Sequence, residues 1–201
     1  EAGLGYVDHD GVVTIVSPSQ NITHHRHMLA KIIKKPISKV RFIMSPVGGG
    51  FGGKEDMSVQ HHAALAAWIV KKPVKVKFSR QESLDFHPKR HAMEINVTLG
   101  CDENGIIQGA DFDILSDTGS FASLGGPVLQ RACTHAGGPY NFQNFKGRGR
   151  AMYTNNPPAG AFRGFGVTQS AFCMECVLTK KEEKAGISPW EIRYRNAVRP
   201  G

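Results

Sequence analysis

Apolar residues change their spacing along this chain, and each change marks an element. Residues 12-VVTIVS-17 form a short apolar run of strand character. The stretch 18-PSQNITHHRHMLAKIIKK-35 then sets Ile22, Met28, Leu29, Ile32 and Ile33 on one broad helical face, with Ser19 as the N-cap. A second strand is predicted at 39-KVRFIM-44. A helix follows over 56–71, marked by Ala63, Ala64, Ala66, Ala67, Ile69 and Val70 and stopped by Pro73, and then a strand at 74-VKVKFS-79. Past a turn around 85-DFHPKR-90 the period falls to two. The segments 92-AMEINVTLG-100 and 106-IIQGADFDILSD-117 alternate, and 101-CDENG-105 joins them as a hairpin. Residues 118–145, rich in glycine, read as loop. A strand at 147–154, a glycine loop at 159-AGAFRGFG-166 and a helix from Thr168 to Lys184 follow. A last short helix starts near Ser188, with Pro189 at its first position and Glu191 in its first turn.

Strands and helices mixed in this way, with a hairpin mid-chain, predict an α+β fold with mixed sheets rather than a regular parallel one. Two similar units emerge, 1–85 and 86–201. Each runs from a strand through a glycine–phenylalanine loop into a helix.

Composition adds little to this and removes several function classes. The 201 residues are 40% hydrophobic and 21% charged, an ordinary globular balance. No apolar run is long enough to span a bilayer, and 1-EAGLGYVDHDG-11 lacks the regions of a secretion signal. The absence of an initiator Met suggests a mature terminus, a trimmed chain or a piece of something longer. Net charge is +8, but the basic residues stand singly or in pairs such as Lys34–Lys35 and Lys180–Lys181, so charge alone does not point to nucleic acid. Cys173 and Cys176 form C-x-x-C within an apolar helical stripe, with no further pair at zinc or iron–sulfur spacing, and read as small core residues in a reducing compartment. His24, His25 and His27, like His61 and His62, are spaced so that their rings diverge, unlike metal ligands at i, i+4.

The candidate chemistry lies in 48-GGGFGGKE-55. Gly48, Gly53 and Lys54 satisfy the phosphate-loop spacing G-x-x-x-x-G-K, but Glu55 stands where a hydroxyl should hold Mg²⁺. A carboxylate there would repel the phosphates. Five glycines around one phenylalanine also exceed what a turn needs. They predict that something approaches the backbone closely, with N–H donors at a helix N-terminus turned toward an anionic or oxo-bearing group.

The pair 48-GGGFGGKE-55 and 161-AFRGFG-166, with 17-SPSQN-21, 87-HPKRHAME-94 and 129-LQRACTH-135, resembles the molybdenum hydroxylases, the xanthine dehydrogenase and aldehyde oxidase family. The likeness runs the whole chain and is to the first molybdenum-binding portion of the large subunit. It implies a molybdopterin cofactor, in its cytosine dinucleotide form, and a cytoplasmic enzyme that inserts water-derived oxygen into heteroaromatic rings or aldehydes. Gln20 resembles the glutamine beside the apical oxo group of molybdenum. Gly50, Phe51 and Gly52 resemble the loop backbone packed on the cofactor, and Arg163 the arginine next to it; none of these ligates the metal directly. Phe165 resembles the aromatic that stacks on a flat heterocycle. Glu55 and Arg131 resemble the glutamate and arginine that act on a purine, the one accepting from ring N–H and the other stabilising negative charge on oxygen.

The resemblance thus implies a purine hydroxylase. An aldehyde or nicotinate-like hydroxylase and a phosphate-binding module stand as alternatives. The family's general-base glutamate and much of its pterin grip belong to a C-terminal portion. Its 2Fe-2S and FAD groups belong to partner domains or subunits, and nothing in the sequence implies nucleic-acid or membrane partners. The chain by itself is expected to be inactive.

Overall fold

The computed structural model describes residues 1–200, with the backbone alone for residues 182–185. The chain divides into two compact units, Glu1–Lys89 and Arg90–Gly201.

The first unit is a four-stranded sheet with helices. Its strands are β1 (Ala2–Val7), β2 (Val13–Ser17), β3 (Val40–Met44) and β4 (Val74–Lys77), in the order β3-β2-β1-β4. β1 is antiparallel to both β2 and β4, whereas β2 and β3 run parallel. The parallel pair is joined through α1 (Ile22–Ile32) and a 3-10 turn at Ile37–Lys39. α2 (Gln60–Val70) and the short α3 (Arg80–Phe86) complete the unit.

β1 escapes the sequence pattern because glycine takes its inward positions. A Cβ on Gly5 would fall 2.4 Å from the backbone oxygen of Ala63, so α2 lies directly on the strand through its own small face, Ala63, Ala64 and Ala67, all fully buried. Short side chains on both partners set this distance, and on the strand, where they are glycine, they show no hydrophobic period. α3 stands before the expected turn around 85–90 and overlaps only its first two residues. Ser79 and Glu82 form a reciprocal capping box that starts it.

α1 is shorter than the predicted 18–35 and differently faced. Its N-cap is Asn21, whose side chain accepts the His24 N–H at 3.3 Å, and not Ser19, which is buried. Of the five apolar residues assigned to its inner face, only Leu29 and Ile33 are buried; Ile22, Met28 and Ile32 are more than a third exposed. The inner stripe instead runs through His25, Leu29, Ala30 and the capping residue Ile33. α2 begins at Gln60, not 56. The Gln60 side chain turns back to accept the N–H groups of Ser58 and Val59 at 2.8 and 3.1 Å, which holds those residues outside the helix.

The second unit is a three-stranded sheet, β5 (Met93–Cys101), β6 (Ile107–Gly119) and β7 (Asn144–Tyr153), in that order. The predicted hairpin joins β5 to β6. Asp102 accepts the N–H groups of Asn104 and Ile106, both at 2.9 Å, and Gly105 takes φ +76°. β6 and β7 are parallel, and the connection between them carries α4 (Gly125–Thr134), where loop was expected. Gly125, Gly126 and Pro127 read as breakers, yet proline is tolerated in a first helical turn, and Val128, Leu129 and Ala132 then bury. α5 (Val167–Ala185) and α6 (Pro189–Asn196) follow, α6 capped by Ser188 as predicted.

One sheet face packs Phe112, Ile114, Leu129, Met174 and Leu178 into the core. The other carries Lys146 on Asp111 and both Arg148 and Arg150 on Asp113, at 3.0–3.1 Å. The C-x-x-C pair does not bury as expected: Cys173 is half-buried and Cys176 exposed, since two residues three apart on α5 straddle the edge of its inner stripe.

Candidate functional site

The first glycine loop leaves β3 and is bound to the short link between β2 and α1. Gln20 makes the junction. Its backbone N–H donates to the Lys54 carbonyl at 2.8 Å, and its Oε1 accepts the N–H groups of Gly52 and Lys54, both at 3.1 Å. With Oε1 committed inward, the amide nitrogen is the donor end. Nε2 stands 3.4 Å from Glu55 Oε1. Gly50 makes room for this: a Cβ there would sit 2.3 Å from Gln20 Cδ and Oε1.

Within the loop Gly53 N–H returns to Gly50 O at 2.9 Å and Glu55 N–H to Gly52 O at 3.2 Å. Phe51 has φ +52° and Gly52 φ +91°, and the Phe51 ring is 66% exposed. A phenylalanine in the left-handed region with most of its ring in solvent is strained backbone without the return of core packing.

This geometry corrects two expectations. Glu55 does not open a helix, because α2 starts only at Gln60, and the amides of Gly52 and Lys54 answer Gln20 rather than an outside anion. The same amides are those a phosphate cradle would need, and Lys54 Nζ donates to Gly49 O of its own loop. Those two amides and the Lys54 ammonium are thus engaged within the loop itself.

His25, to which the sequence pattern assigns no role, supports the loop from α1. Its Nε2 lies 2.7 Å from the Glu55 carbonyl, which can only accept, so Nε2 carries the proton and Nδ1 accepts from Ser19 Oγ at 2.9 Å. Ser19 Oγ in turn accepts the Asn21 N–H at 2.9 Å. Burial holds the His25 pKa below the ordinary histidine value, against the upward pull of the Glu55 carbonyl, which keeps the ring neutral and this relay intact. A signal does exist: His25, Leu29 and Ile33 recur at helical spacing of four, so His25 occupies a core position of the stripe.

The second loop, Ala159–Gly166, repeats these turns. Phe165 N–H returns to Phe162 O at 2.7 Å and Val167 N–H to Gly164 O at 3.0 Å, and Gly164 has φ +91°, as Gly52 does. In this alignment Arg163 takes the place of Phe51. Here the helix does begin at once, α5 opening at Val167. Phe165 is half-buried with φ +50°. A Cβ on Gly166 would fall 2.3 Å from Val128 O and 3.1 Å from Ala132 N, so the loop rests on α4 beside the exposed Arg131.

Gln20, Gly50, Phe51, Gly52 and Glu55 thus gather in the first unit, and Arg131, Arg163 and Phe165 in the second. Each loop, taken by itself, leaves backbone uncovered through glycine, with the Gln20 amide and Glu55 at the first and the half-buried Phe165 in the second. Among the described residues no group of three or more His, Cys, Asp and Glu could hold a metal ion.

Comparison with known proteins names a cofactor. Residues 1–197 match the family model of the molybdopterin cofactor-binding domain, and the chain belongs to this family. It is 42% identical over its whole length to the nicotinate dehydrogenase large molybdopterin subunit of Eubacterium barkeri, covering 47% of that protein. It is 39% identical to a probable xanthine dehydrogenase component of Bacillus subtilis, covering 27% of it. Aldehyde oxidoreductase from Desulfovibrio gigas superposes with a TM-score of 0.96 at 32% identity, over all of this chain and 22% of that one. The chain therefore spans less than half the length of each of these relatives. The α+β architecture expected from the sequence is the fold of that structure.

The residues present suit the cofactor. An oxo-bearing group needs hydrogen-bond donors near an open backbone, and the Gln20 amide, set by two backbone bonds over a glycine floor, presents one.

Proposed function

We propose that this chain is the molybdopterin-binding portion of a molybdenum hydroxylase acting on a purine such as xanthine or hypoxanthine. The observation that carries the reading is the Glu55 carboxylate, held at the mouth of the first loop beside the Gln20 amide nitrogen. Molybdopterin, when bound, supplies the redox chemistry by which water-derived oxygen enters the substrate. The chain's own residues bind and orient. Gln20 donates from Nε2 toward the cofactor, while Gly50, Phe51, Gly52 and Arg163 form the surface against it. Phe165 offers its ring to a flat heterocycle. Glu55 accepts from a ring N–H, and Arg131 stabilises negative charge that grows on a substrate oxygen.

The cytosine dinucleotide form of the cofactor, a cytoplasmic setting, and 2Fe-2S and FAD groups in partner domains or subunits belong to the same proposal. So does a base contributed from outside this chain, which leaves the isolated chain inactive. Among the described residues no helix is long and apolar enough to cross a membrane.

A second reading, hydroxylation of nicotinate, is favoured by the Eubacterium barkeri relative at 42% identity. The test is Glu55→Val and Arg131→Met in the full-length enzyme, assayed with xanthine, nicotinate and an aldehyde. The purine reading expects xanthine turnover to fall by about a hundredfold or more in either variant, as for removal of one transition-state donor, with aldehyde turnover spared. Unaltered xanthine turnover in both variants would show the purine assignment to be wrong.

A further inference from the structure

We propose that Arg90 is the positioning residue of the second glycine loop, a guanidinium clamp that sets where Arg163 and Phe165 stand. The proposal rests on the functional reading above, in which those two side chains meet cofactor and substrate.

Three contacts converge on one plane. Arg90 Nη1 donates to Thr168 Oγ1 at 2.7 Å, and Nη2 donates to the Arg163 carbonyl at 2.8 Å. The guanidinium also lies over the Phe162 ring, 4.3 Å from its centroid. The three partners bracket the second half of the loop: Phe162 and Arg163 at its middle, Thr168 in the first turn of α5. Between them lie the two returning turns and Phe165 at φ +50°, a backbone state that persists only where its surroundings impose it.

The contacts close on themselves. Thr168 Oγ1, having accepted from Arg90, donates to Gln169 Oε1 at 2.8 Å. Gln169 Nε2 donates to the carbonyl of His91 at 3.0 Å. His91 is the next residue after Arg90, so the path Arg90–Thr168–Gln169–His91 returns to its start through one peptide bond. In such a circuit each donor has a fixed acceptor, and one displacement disturbs all. Only arginine serves here: lysine offers no fork for a hydroxyl and a carbonyl together, and no plane to stack on a ring.

Arg90 touches neither cofactor nor substrate and acts through the loop. The test uses the full-length enzyme with Arg90→Lys and Arg90→Gln, and reads amide hydrogen exchange of residues 159–168 alongside KM and kcat for xanthine. Exchange across the loop is expected to quicken by about tenfold or more, with the β5–β6 hairpin unchanged. KM is expected to rise more than kcat falls, because Phe165 is misplaced while the reacting groups remain. Loop exchange equal to wild type in both variants would overturn the clamp. A loosened loop with wild-type KM and molybdopterin content would overturn its positioning role. Phe165→Ala, measured in parallel, reads the underlying assignment separately: a normal KM there removes the substrate role of Phe165, while loop exchange still decides for or against Arg90.

Discussion

The Gln20 side chain fills the space that a methyl group on Gly50 would occupy: a Cβ at position 50 would lie 2.3 Å from the Gln20 amide carbon and oxygen. Neither residue is demanding alone. Together they fix the loop, because the Gln20 oxygen reaches the amides of Gly52 and Lys54 only over a bare backbone.

Gly50→Ala should therefore cost about 1–3 kcal/mol, the range for an added methylene in a packed site. The distinguishing sign is local. Amide exchange at Gly52 and Lys54 should quicken first, and molybdopterin content of the full-length protein should fall. Wild-type exchange at both amides would refute the clasp.

Acid should weaken the first unit. Burial holds the pKa values of His25, His61 and His87 below the ordinary 6.5, and that of His61 falls to about 4, aided by the neighbouring His62. The unfolded chain then binds more protons than the folded one between these values. Stability is full above about pH 6.5 and declines as pH falls toward 4. Urea unfolding followed between neutral pH and about 4.5 should show the midpoint dropping, and less steeply in His61→Ala.

The second unit should be sensitive at the other end of the scale. Tyr140 donates to Glu175 Oε1 at 2.6 Å, and Arg193 Nε donates to the other carboxylate oxygen at 2.8 Å. Burial first, then the Glu175 hydrogen bond and charge, push the Tyr140 pKa up to about 12 from 10. A raised folded value means stability is complete below pH 10 and declines as pH rises from 10 toward 12. Tyr140→Phe should remove this alkaline loss, measured as the difference in thermal midpoint at about pH 8 and pH 10.5.

Two glycines of positive φ should separate strain from collision. Gly11 at φ +72° has nothing within 4 Å of a Cβ, whereas at Gly166, φ +94°, a Cβ would strike Val128 O at 2.3 Å. Gly11→Ala should cost about 1–2 kcal/mol, the left-handed penalty alone. Gly166→Ala adds a backbone clash with α4 and should cost at least twice that, read by urea denaturation. Equal costs would mean that the loop does not depend on its seat against α4.

What could be read beforehand follows from how each element announces itself. The β5–β6 hairpin was legible because period-two alternation and an Asp-x-x-Gly turn agree at adjacent positions. The glycine loops were legible as places of close approach because glycine has few other reasons to cluster. β1 was not, since Gly3 and Gly5 are set by close approach across the fold, and the start of α2 was not, since the Gln60 side chain sets it by holding the Ser58 and Val59 amides. α4 was hidden behind its Gly-Gly-Pro start, and with it the helical setting of Arg131. The partners of His25 and Arg90 were hidden for one reason: each acts on a backbone carbonyl, of Glu55 and Arg163, and although spacing could place His25 on the inner stripe, a carbonyl leaves no mark in a sequence.

β1 pairs Leu4 with Val16 on one side and Ala2 with Lys77 on the other. β4 follows the glycine loop in the chain, so during synthesis β2 and the loop leave the ribosome before the second of these partners does. Until β4 emerges, the far edge of β1 offers unpaired N–H and C=O groups to any passing strand. β4, the last strand of this unit in chain order, is thus what closes the edge of the sheet that carries the glycine loop.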